Sequence, residues 1–308
     1  MQKQHVVIRF CGDSGDGMQL TGTMFASLSA ILGNEISTLP DFPAEIRAPQ
    51  GTLGGVSGFQ VHIGNGVYTP GDKADVLVAM NPAALKTNFK FLKSDGVVIY
   101  DTDSFAKSDL DKAAFTTDNP FAEIGAPATV QIVPVAISSM VAAALADSGM
   151  DNKSIMRCKN MFALGLICWL FDRPIDQARK LLTNKFSKKP TVLEANLKVM
   201  AAGYDYGNNI HATVSTYRIE SKAQKPGIYT DINGNRATAL GLIMASEKSG
   251  LPLFLGSYPI TPATDILHEL AKRKDLGVKV VQAEDEIAGV CTAIGASFAG
   301  NLAATSTS

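Results

Sequence analysis

Short Val/Ile-rich runs separated by helix-length segments recur along the first half of this chain, and they confine it to one broad class of fold. "HVVIRFCG" is a short β-rich run, and "ADVLVAM", "GVVIYD" and "TVQIVPV" are apolar without strict alternation. The last three predict strands buried on both faces, as in a sheet covered by helices. After the first run, "MQLTGTMFASLSAILG" puts Leu20, Met24, Leu28, Ile31 and Leu32 on one helical face, with Gly33 as its C-terminal stop. The predicted class is α/β.

From about Ala136 to Gly203 the pattern is mostly helical. "RPIDQARKLLTNKF" and "KPTVLEANLKVMAAG" both open near a proline, which a helix tolerates in its first turn. The most apolar long segment, "MFALGLICWLF", falls well short of the roughly 20 residues a membrane helix needs, and predicts a buried helix. Residues 205 to 230 are polar, contain Gly and Pro, and lack a helical period, which predicts a linker. The β/α alternation then restarts with "NRATALGLIMASEKSG" (helix), "LPLFLGSY" (strand), "TPATDILHELAKR" (helix), "VKVVQAE" (strand) and "DEIAGVCTAIGASFAG" (helix). "NLAATSTS" opens one more strand. The expected organisation is a domain over 1–204, a linker over 205–230 and an incomplete parallel-sheet domain over 231–308. So few strands would leave an open sheet edge, so the second domain reads as the front part of a longer chain or a piece that needs a partner.

A net charge of −1 and the absence of Lys/Arg-rich runs give no field that would favour nucleic acid or an acidic membrane surface. The opening "MQKQHVVIRFCGDSG" lacks the pattern of a secretory leader. Cys11, Cys158, Cys168 and Cys291 form no Cys-x-x-Cys pair, so neither a zinc site nor an iron–sulfur cluster is expected within the chain. A reduced, cytoplasmic setting is the expectation.

Three places could carry chemistry. In "CGDSGDG", Gly12, Gly15 and Gly17 follow a strand and open a helix, where backbone amides and the helix dipole favour a phosphate. The spacing is G-x-x-G-x-G, however, and Asp13 and Asp16 would repel an anion. The other reading is a tight turn whose aspartates cap the helix. In "FPAEIRAPQGTLGG", Glu45, Arg47 and Gln50 lie on a Pro/Gly-rich loop. It is either an ordinary surface loop with an ion pair or a ligand loop in which Arg47 offers a fork to a phosphate or carboxylate.

The third place is a pair of corners, "SYPITP" and "QAEDEIAG". Each follows a strand and opens a helix, so both fall at the C-terminal edge of a parallel sheet, where open α/β sheets bind ligands. Pro259 and Pro262 bias Tyr258 and Thr261 toward extended backbone, which fixes the Thr261 hydroxyl at a strand end. Equally, Thr261 can be a helix N-cap with Pro262 as the first helical residue. Glu284, Asp285 and Glu286 at the next helix start can complement its dipole, typically ~0.3–1 kcal/mol each. Because the helix after them is rich in Gly and Ala, an acid there can instead be desolvated, with a raised pKa, and carry a proton.

Together, "GSYPITPATDIL" and "VVQAEDEIAGVCTAIGASFAG" resemble the pyrimidine-binding domain of the 2-oxoacid:ferredoxin oxidoreductases, which are thiamine-diphosphate enzymes. "GDSGDGMQLTG" and "FPAEIRAPQGTLGGVSGFQVHIG" resemble that family's gamma domain, and the gamma-then-alpha order is most similar to the alpha subunits acting on 2-oxoglutarate. The resemblance implies that a glutamate hydrogen-bonds the coenzyme's pyrimidine ring and moves a proton. It also implies decarboxylation of a 2-oxoacid, transfer of electrons to ferredoxin and capture of the acyl group by coenzyme A. Glu286 matches that glutamate, nine residues before Gly295, with Glu284 as the runner-up, and Thr261 matches the motif threonine. Tyr258, Pro259 and Ile260 would line the coenzyme with them, and Gly12, Gly15, Gly17 and Arg47 are the candidates for a phosphate-bearing ligand. Mg²⁺ and a [4Fe-4S] cluster would belong to a beta subunit, without which this chain should be inert. The residues alone leave pyruvate or branched 2-oxoacids open as substrates. They also leave open a non-catalytic nucleotide or coenzyme A module; an NAD-dependent dehydrogenase lacks its expected ribose-binding acid.

Overall fold

The computed structural model describes residues 2–43, 48–210, 216–219 and 227–307. The chain divides into two units, Met1–Pro226 and Gly227–Ser308.

In the first unit, β1 (Gln2–Lys3) and β2 (His5–Asp13) lead into α1 (Met18–Ile31), followed by β3 (Glu35–Asp41), β4 (Val56–Gly64) and β5 (Ala74–Ala79). Next come α2 (Pro82–Asn88), β6 (Leu92–Asp101), α3 (Lys107–Lys112), α4 (Pro120–Glu123) and β7 (Gln131–Val135). A helical run follows: α5 (Ile137–Ala144), α6 (Asn152–Met156), α7 (Lys159–Leu170), α8 (Ile175–Phe186) and α9 (Pro190–Ile210). Last is the short β8 (Arg218–Ile219), which pairs with β1.

The six-stranded sheet has the order β3-β4-β2-β5-β6-β7. Strands β2, β5, β6 and β7 are parallel, while β4 runs antiparallel to both β2 and β3. The sheet is therefore mixed, and the antiparallel pair at one edge departs from the plain β/α alternation read from the sequence. Burial on both faces holds for β5, buried at all six positions. It fails for β7, an edge strand in which only Val133 and Val135 are buried. On α1, Met24 and Leu28 are buried as the pattern predicts, but Ile31 is 57% exposed.

The apolar segment "MFALGLICWLF" forms most of α7, buried at every position from Asn160 to Leu170. Its closest neighbour is α9, which extends to Ile210, so residues 205–210 of the expected linker are helical. The physical reason is Gly207: a Cβ there would stand 2.3 Å from the Trp169 ring, so the polar end of α9 is held against α7. Residues 211–215 and 220–226 of the same stretch lie outside the described residues. Among the described residues, no helix is long and apolar enough to cross a membrane.

One buried carboxylate ties the start of the chain to this sheet. Asp75 accepts hydrogen bonds from Lys3 Nζ (2.7 Å), Lys93 Nζ (2.9 Å) and the Val7 N–H (2.9 Å). Burial alone would raise its pKa, but these three donors outweigh that and lower it. A carboxylate with a depressed folded pKa stabilises the fold above its unfolded pKa, near 3.9, and loses that contribution as pH falls through the folded value. Asp75→Asn is expected to cost about 1–3 kcal/mol at pH 7 in urea unfolding. The gap from the wild type should shrink below about pH 4.

The second unit contains α10 (Gly234–Ser249), β9 (Leu253–Ser257), α11 (Thr264–Ala271), β10 (Lys279–Gln282), α12 (Glu286–Phe298) and β11 (Leu302–Ala304). Its three strands are parallel in the order β10-β9-β11. Leu253, Leu255, Leu267 and Leu270 form its core with Ala239 and Ile243 of α10. The central strand β9 meets α12 very closely. A Cβ on Gly256 would lie 2.2 Å from Thr292 Oγ1 and 2.7 Å from the Gly289 carbonyl.

Candidate functional site

The two corners of the second unit leave adjacent strands at the same end of the parallel sheet: Tyr258–Pro262 follows β9, and Glu284–Glu286 follows β10. Three hydrogen bonds set the first corner. The Ile260 carbonyl accepts from both Thr264 N–H and Thr264 Oγ1, each at 2.8 Å, and the Pro262 carbonyl accepts from Asn235 Nδ2 at 2.8 Å. Helix α11 therefore opens at Thr264 with Ala263 as its N-cap and no side-chain capping bond. This corrects the capping reading of Thr261 and Pro262: both precede the helix. Thr261 is exposed, and its hydroxyl has no partner among the described residues. The Thr261–Pro262 peptide is cis.

At the second corner the three acids have separate parts. Asp285 is the N-cap of α12, its Oδ1 accepting from Ala288 N–H at 2.8 Å. Glu286 is the first residue of the helix, exposed, and its carboxylate has no partner among the described residues. Glu284 is also exposed. The expectation of a desolvated acid is therefore not met within the unit. Gly289 and Ala293 are the buried positions of α12, while Ile287, Ile294 and Phe298 are exposed. The Gly/Ala content lets one face of α12 sit on β9 and leaves the first-turn acid in the open.

Sequence reasoning missed the strand ends themselves. The fully buried Ser257 hydroxyl donates to the Ser306 carbonyl (2.9 Å) and lies 2.7 Å from Ser306 Oγ. The Ser257 carbonyl accepts from Ala283 N–H (2.7 Å), and Tyr258 OH lies 2.8 Å from Thr307 Oγ1. The only signal was a serine closing an otherwise apolar strand.

The Gly-rich turn of the first unit corrects the capping reading of its aspartates. Gly17, with φ +73°, is the N-cap of α1 and makes no side-chain capping bond. Neither aspartate caps that helix. Asp16 Oδ2 folds back to accept from Asp13 N–H (2.8 Å), and Asp13 accepts from Gly51 N–H (2.8 Å) and Asn81 Nδ2 (3.0 Å). Two of the glycines answer to packing. A Cβ on Gly12 would stand 2.7 Å from Asp16 Oδ2, and one on Gly17 would stand 2.5 Å from Asn160 Nδ2. Gly15 has more room, with Gln50 Nε2 3.7 Å from such a Cβ.

A cleft of about 270 Å³ opens beside this turn, lined among others by Asp13, Asp16, Asp103, Asp109, Lys112 and Lys159. Its two cations are answered within the protein, Lys159 by the buried Asp101 at 3.4 Å and Lys112 by Asp109 at 3.2 Å. Burial raises the pKa of Asp16, and Lys159 opposes that shift. A cleft with more acid than base, whose lysines are already paired, is a poor cradle for a phosphate. Glu45 and Arg47, the other candidates on this side, lie outside the described residues.

With this geometry in hand, comparison with known proteins is decisive for kinship. Residues 7–206 match the family model described as pyruvate ferredoxin/flavodoxin oxidoreductase. The chain belongs to that family. Residues 247–308, which contain both corners, match the model for the thiamine-diphosphate-binding part of pyruvate flavodoxin/ferredoxin oxidoreductases. Among individual relatives, the 2-oxoglutarate oxidoreductase subunit KorA of Mycobacterium tuberculosis is 48% identical over 99% of this chain and 47% of its own length. Subunit alpha of 2-oxoacid:ferredoxin oxidoreductase 1 of Aeropyrum pernix is 23% identical over 99% of this chain and 50% of its own. A solved 2-oxoglutarate:ferredoxin oxidoreductase from Magnetococcus marinus, with 2-oxoglutarate, coenzyme A and succinyl-CoA bound, is 29% identical at a TM-score of 0.72. That match covers 98% of this chain and 47% of the other. The chain thus spans about half the length of the relatives it matches. The first of these family matches falls within the mixed first unit and the second within the parallel second unit.

Proposed function

We propose that this chain provides the pyrimidine-binding side of the coenzyme site in a 2-oxoacid:ferredoxin oxidoreductase, and that 2-oxoglutarate is the substrate. The observation that carries the reading is the Glu286 carboxylate, without a partner among the described residues and set by the Asp285 cap on the sheet edge that also carries Tyr258–Thr261. The donor set fits the group: an acid free to bond a ring nitrogen, a free threonine hydroxyl, and a corner whose carbonyls are tied down. Thiamine diphosphate, when bound, supplies a nucleophilic carbon and a sink for the electrons released on loss of CO₂. Glu286 holds and returns the proton at the pyrimidine ring nitrogen, and Thr261 offers a hydroxyl toward coenzyme and substrate. Tyr258, Pro259 and Ile260 shape the wall beside them. Glu286 is exposed in this unit, so in this reading a second surface covers it, and desolvation then strengthens its hydrogen bond. That surface is assigned to a beta subunit, which would also hold Mg²⁺ and the [4Fe-4S] cluster. Coenzyme A takes the acyl group, and ferredoxin takes the electrons. In this reading Gly12 and Gly17 are structural residues, and only Gly15 and Arg47 are retained as candidates to meet coenzyme A.

The choice of 2-oxoglutarate is supported by the names of the Mycobacterium relative and of the Magnetococcus protein. The test is reduction of ferredoxin by the enzyme assembled with its beta subunit, with 2-oxoglutarate, pyruvate and 2-oxoisovalerate compared. Activity dependent on thiamine diphosphate and coenzyme A, with the highest kcat/KM for 2-oxoglutarate, is the expected result. Equal or better use of pyruvate would overturn the substrate, and no reduction with any 2-oxoacid would overturn the reaction.

A further inference from the structure

One residue bonds both of the chain segments that flank the first candidate corner, Ser257. Ser257 ends the central strand β9, so it has a neighbour on each side, and it uses both. Toward β10, its carbonyl accepts from Ala283 N–H at 2.7 Å, one residue before the acidic run Glu284–Glu286. Toward β11, its hydroxyl is bonded to Ser306, with Oγ 2.9 Å from the carbonyl and 2.7 Å from the other Oγ. A serine hydroxyl has one proton and two acceptor positions, so the pattern closes on itself. Ser257 donates to the Ser306 carbonyl, and the Ser306 hydroxyl donates to Ser257 Oγ. Both residues are buried, Ser257 completely, so water does not compete for these bonds. The next residue repeats the stitch, with Tyr258 OH 2.8 Å from Thr307 Oγ1. On the strand's other face, Gly256 lets α12 approach closely enough that a Cβ would meet Thr292 Oγ1 at 2.2 Å.

We infer that Ser257 is a positioning residue for the coenzyme site: its hydroxyl locks the 306–307 segment to the Tyr258–Thr261 corner while its carbonyl fixes the start of the Glu286 helix. The inference rests on the reading of Glu286 and Thr261 given above and deepens it. A side chain that touches neither coenzyme nor substrate would then set the spacing of groups that do. Misplacing such groups by about 1 Å can cost on the order of 10²-fold in rate.

The test uses the assembled enzyme carrying Ser257→Ala, Ser306→Ala, both changes together, or Glu286→Gln. Ser257→Ala is expected to lower kcat by about 10- to 100-fold. It should also weaken thiamine diphosphate binding to the apoenzyme in calorimetry and speed amide exchange across 258–262 and 280–288. Ser306→Ala should be milder, because its carbonyl keeps the Ser257 donor. The double variant should be no worse than Ser257→Ala, since both act through one contact. A lowered melting temperature with unchanged kcat, coenzyme affinity and local exchange would leave Ser257 a structural serine and overturn the inference. Independent, additive effects of the two serines would overturn it as well. If Glu286→Gln is inactive and Ser257→Ala is normal, only this inference fails. If Glu286→Gln is active, the reading of the acid fails, and the exchange measurement still judges the Ser257 junction.

Discussion

Glu286→Gln is expected to reduce turnover of the assembled enzyme by ~10²–10⁴-fold, the usual contribution of a positioned proton-transfer group. Glutamine keeps the length and shape of the side chain and can still hydrogen-bond a ring nitrogen, but it cannot hold the proton as a carboxyl group does. The three neighbouring acids make the experiment specific. Asp285 is already committed to the Ala288 N–H, so Asp285→Ala should act on the helix, costing about 0.5–2 kcal/mol as N-cap losses do. Glu284 precedes the cap, and Glu284→Gln should leave turnover within a few-fold of the wild type. Glu286 alone combines a fixed first-turn position with a carboxylate that makes no bond among the described residues. Its dipole contribution to the helix is only ~0.3–1 kcal/mol, so the variant should fold and assemble normally, as circular dichroism and gel filtration would report. Steady-state ferredoxin reduction with saturating coenzyme is the measurement. A loss smaller than tenfold would move the proton-transfer role off Glu286, and a large loss in Glu284→Gln would move it there.

What the sequence made legible follows from how local each signal is. The Val/Ile runs locate β2, β5 and β6 because burial on a central strand is written in consecutive residues, and they locate β7 too, although that edge strand is buried only at Val133 and Val135. The apolar run "MFALGLICWLF" locates α7 for the same reason. Strand direction is not written that way. Nothing in "VSGFQVHIG" says that β4 runs against β2, and the mixed edge of the sheet stayed hidden. The capping reading of the Gly-rich turn fails because Asp13 bonds partners distant in sequence, Gly51 and Asn81, while Asp16 turns back to the Asp13 N–H. The local rule that offers Thr261 as a cap fails because the Ile260 carbonyl and Thr264 set the helix start. The corner "SYPITP" and the acidic helix start were legible as a pair on one sheet edge. Their common anchor, Ser257, was not, since its value lies in Ser306 and Ala283.

The largest stability effect expected in the first unit comes from two glycines where α7 crosses α9. A Cβ on Gly165 would lie 2.0 Å from the Met200 carbonyl oxygen and 2.9 Å from Tyr204 N. A Cβ on Gly203 would lie 2.1 Å from the Phe162 carbonyl oxygen. Both obstacles are backbone, so no side chain can rotate away and the helices must separate by more than an ångström. Two effects oppose each other in Gly165→Ala. Alanine is the better helix former by about 0.8–1 kcal/mol. Overpacking a close-packed core costs typically ~1–3 kcal/mol and occasionally more, and here it acts on a helix with no exposed face to relax into. Overpacking wins, and a net loss of about 2 kcal/mol or more is expected for either alanine variant, with valine worse. The chain's single tryptophan, Trp169, is on α7, so its fluorescence in urea reports this crossing directly. Gly241 in α10 is the control, because nothing lies within 4 Å of a Cβ there. Gly241→Ala should stabilise the second unit by about 0.4–1 kcal/mol, read by circular dichroism. Equal stability of Gly165→Ala and the wild type would mean that the helices do not approach as closely as these glycines allow.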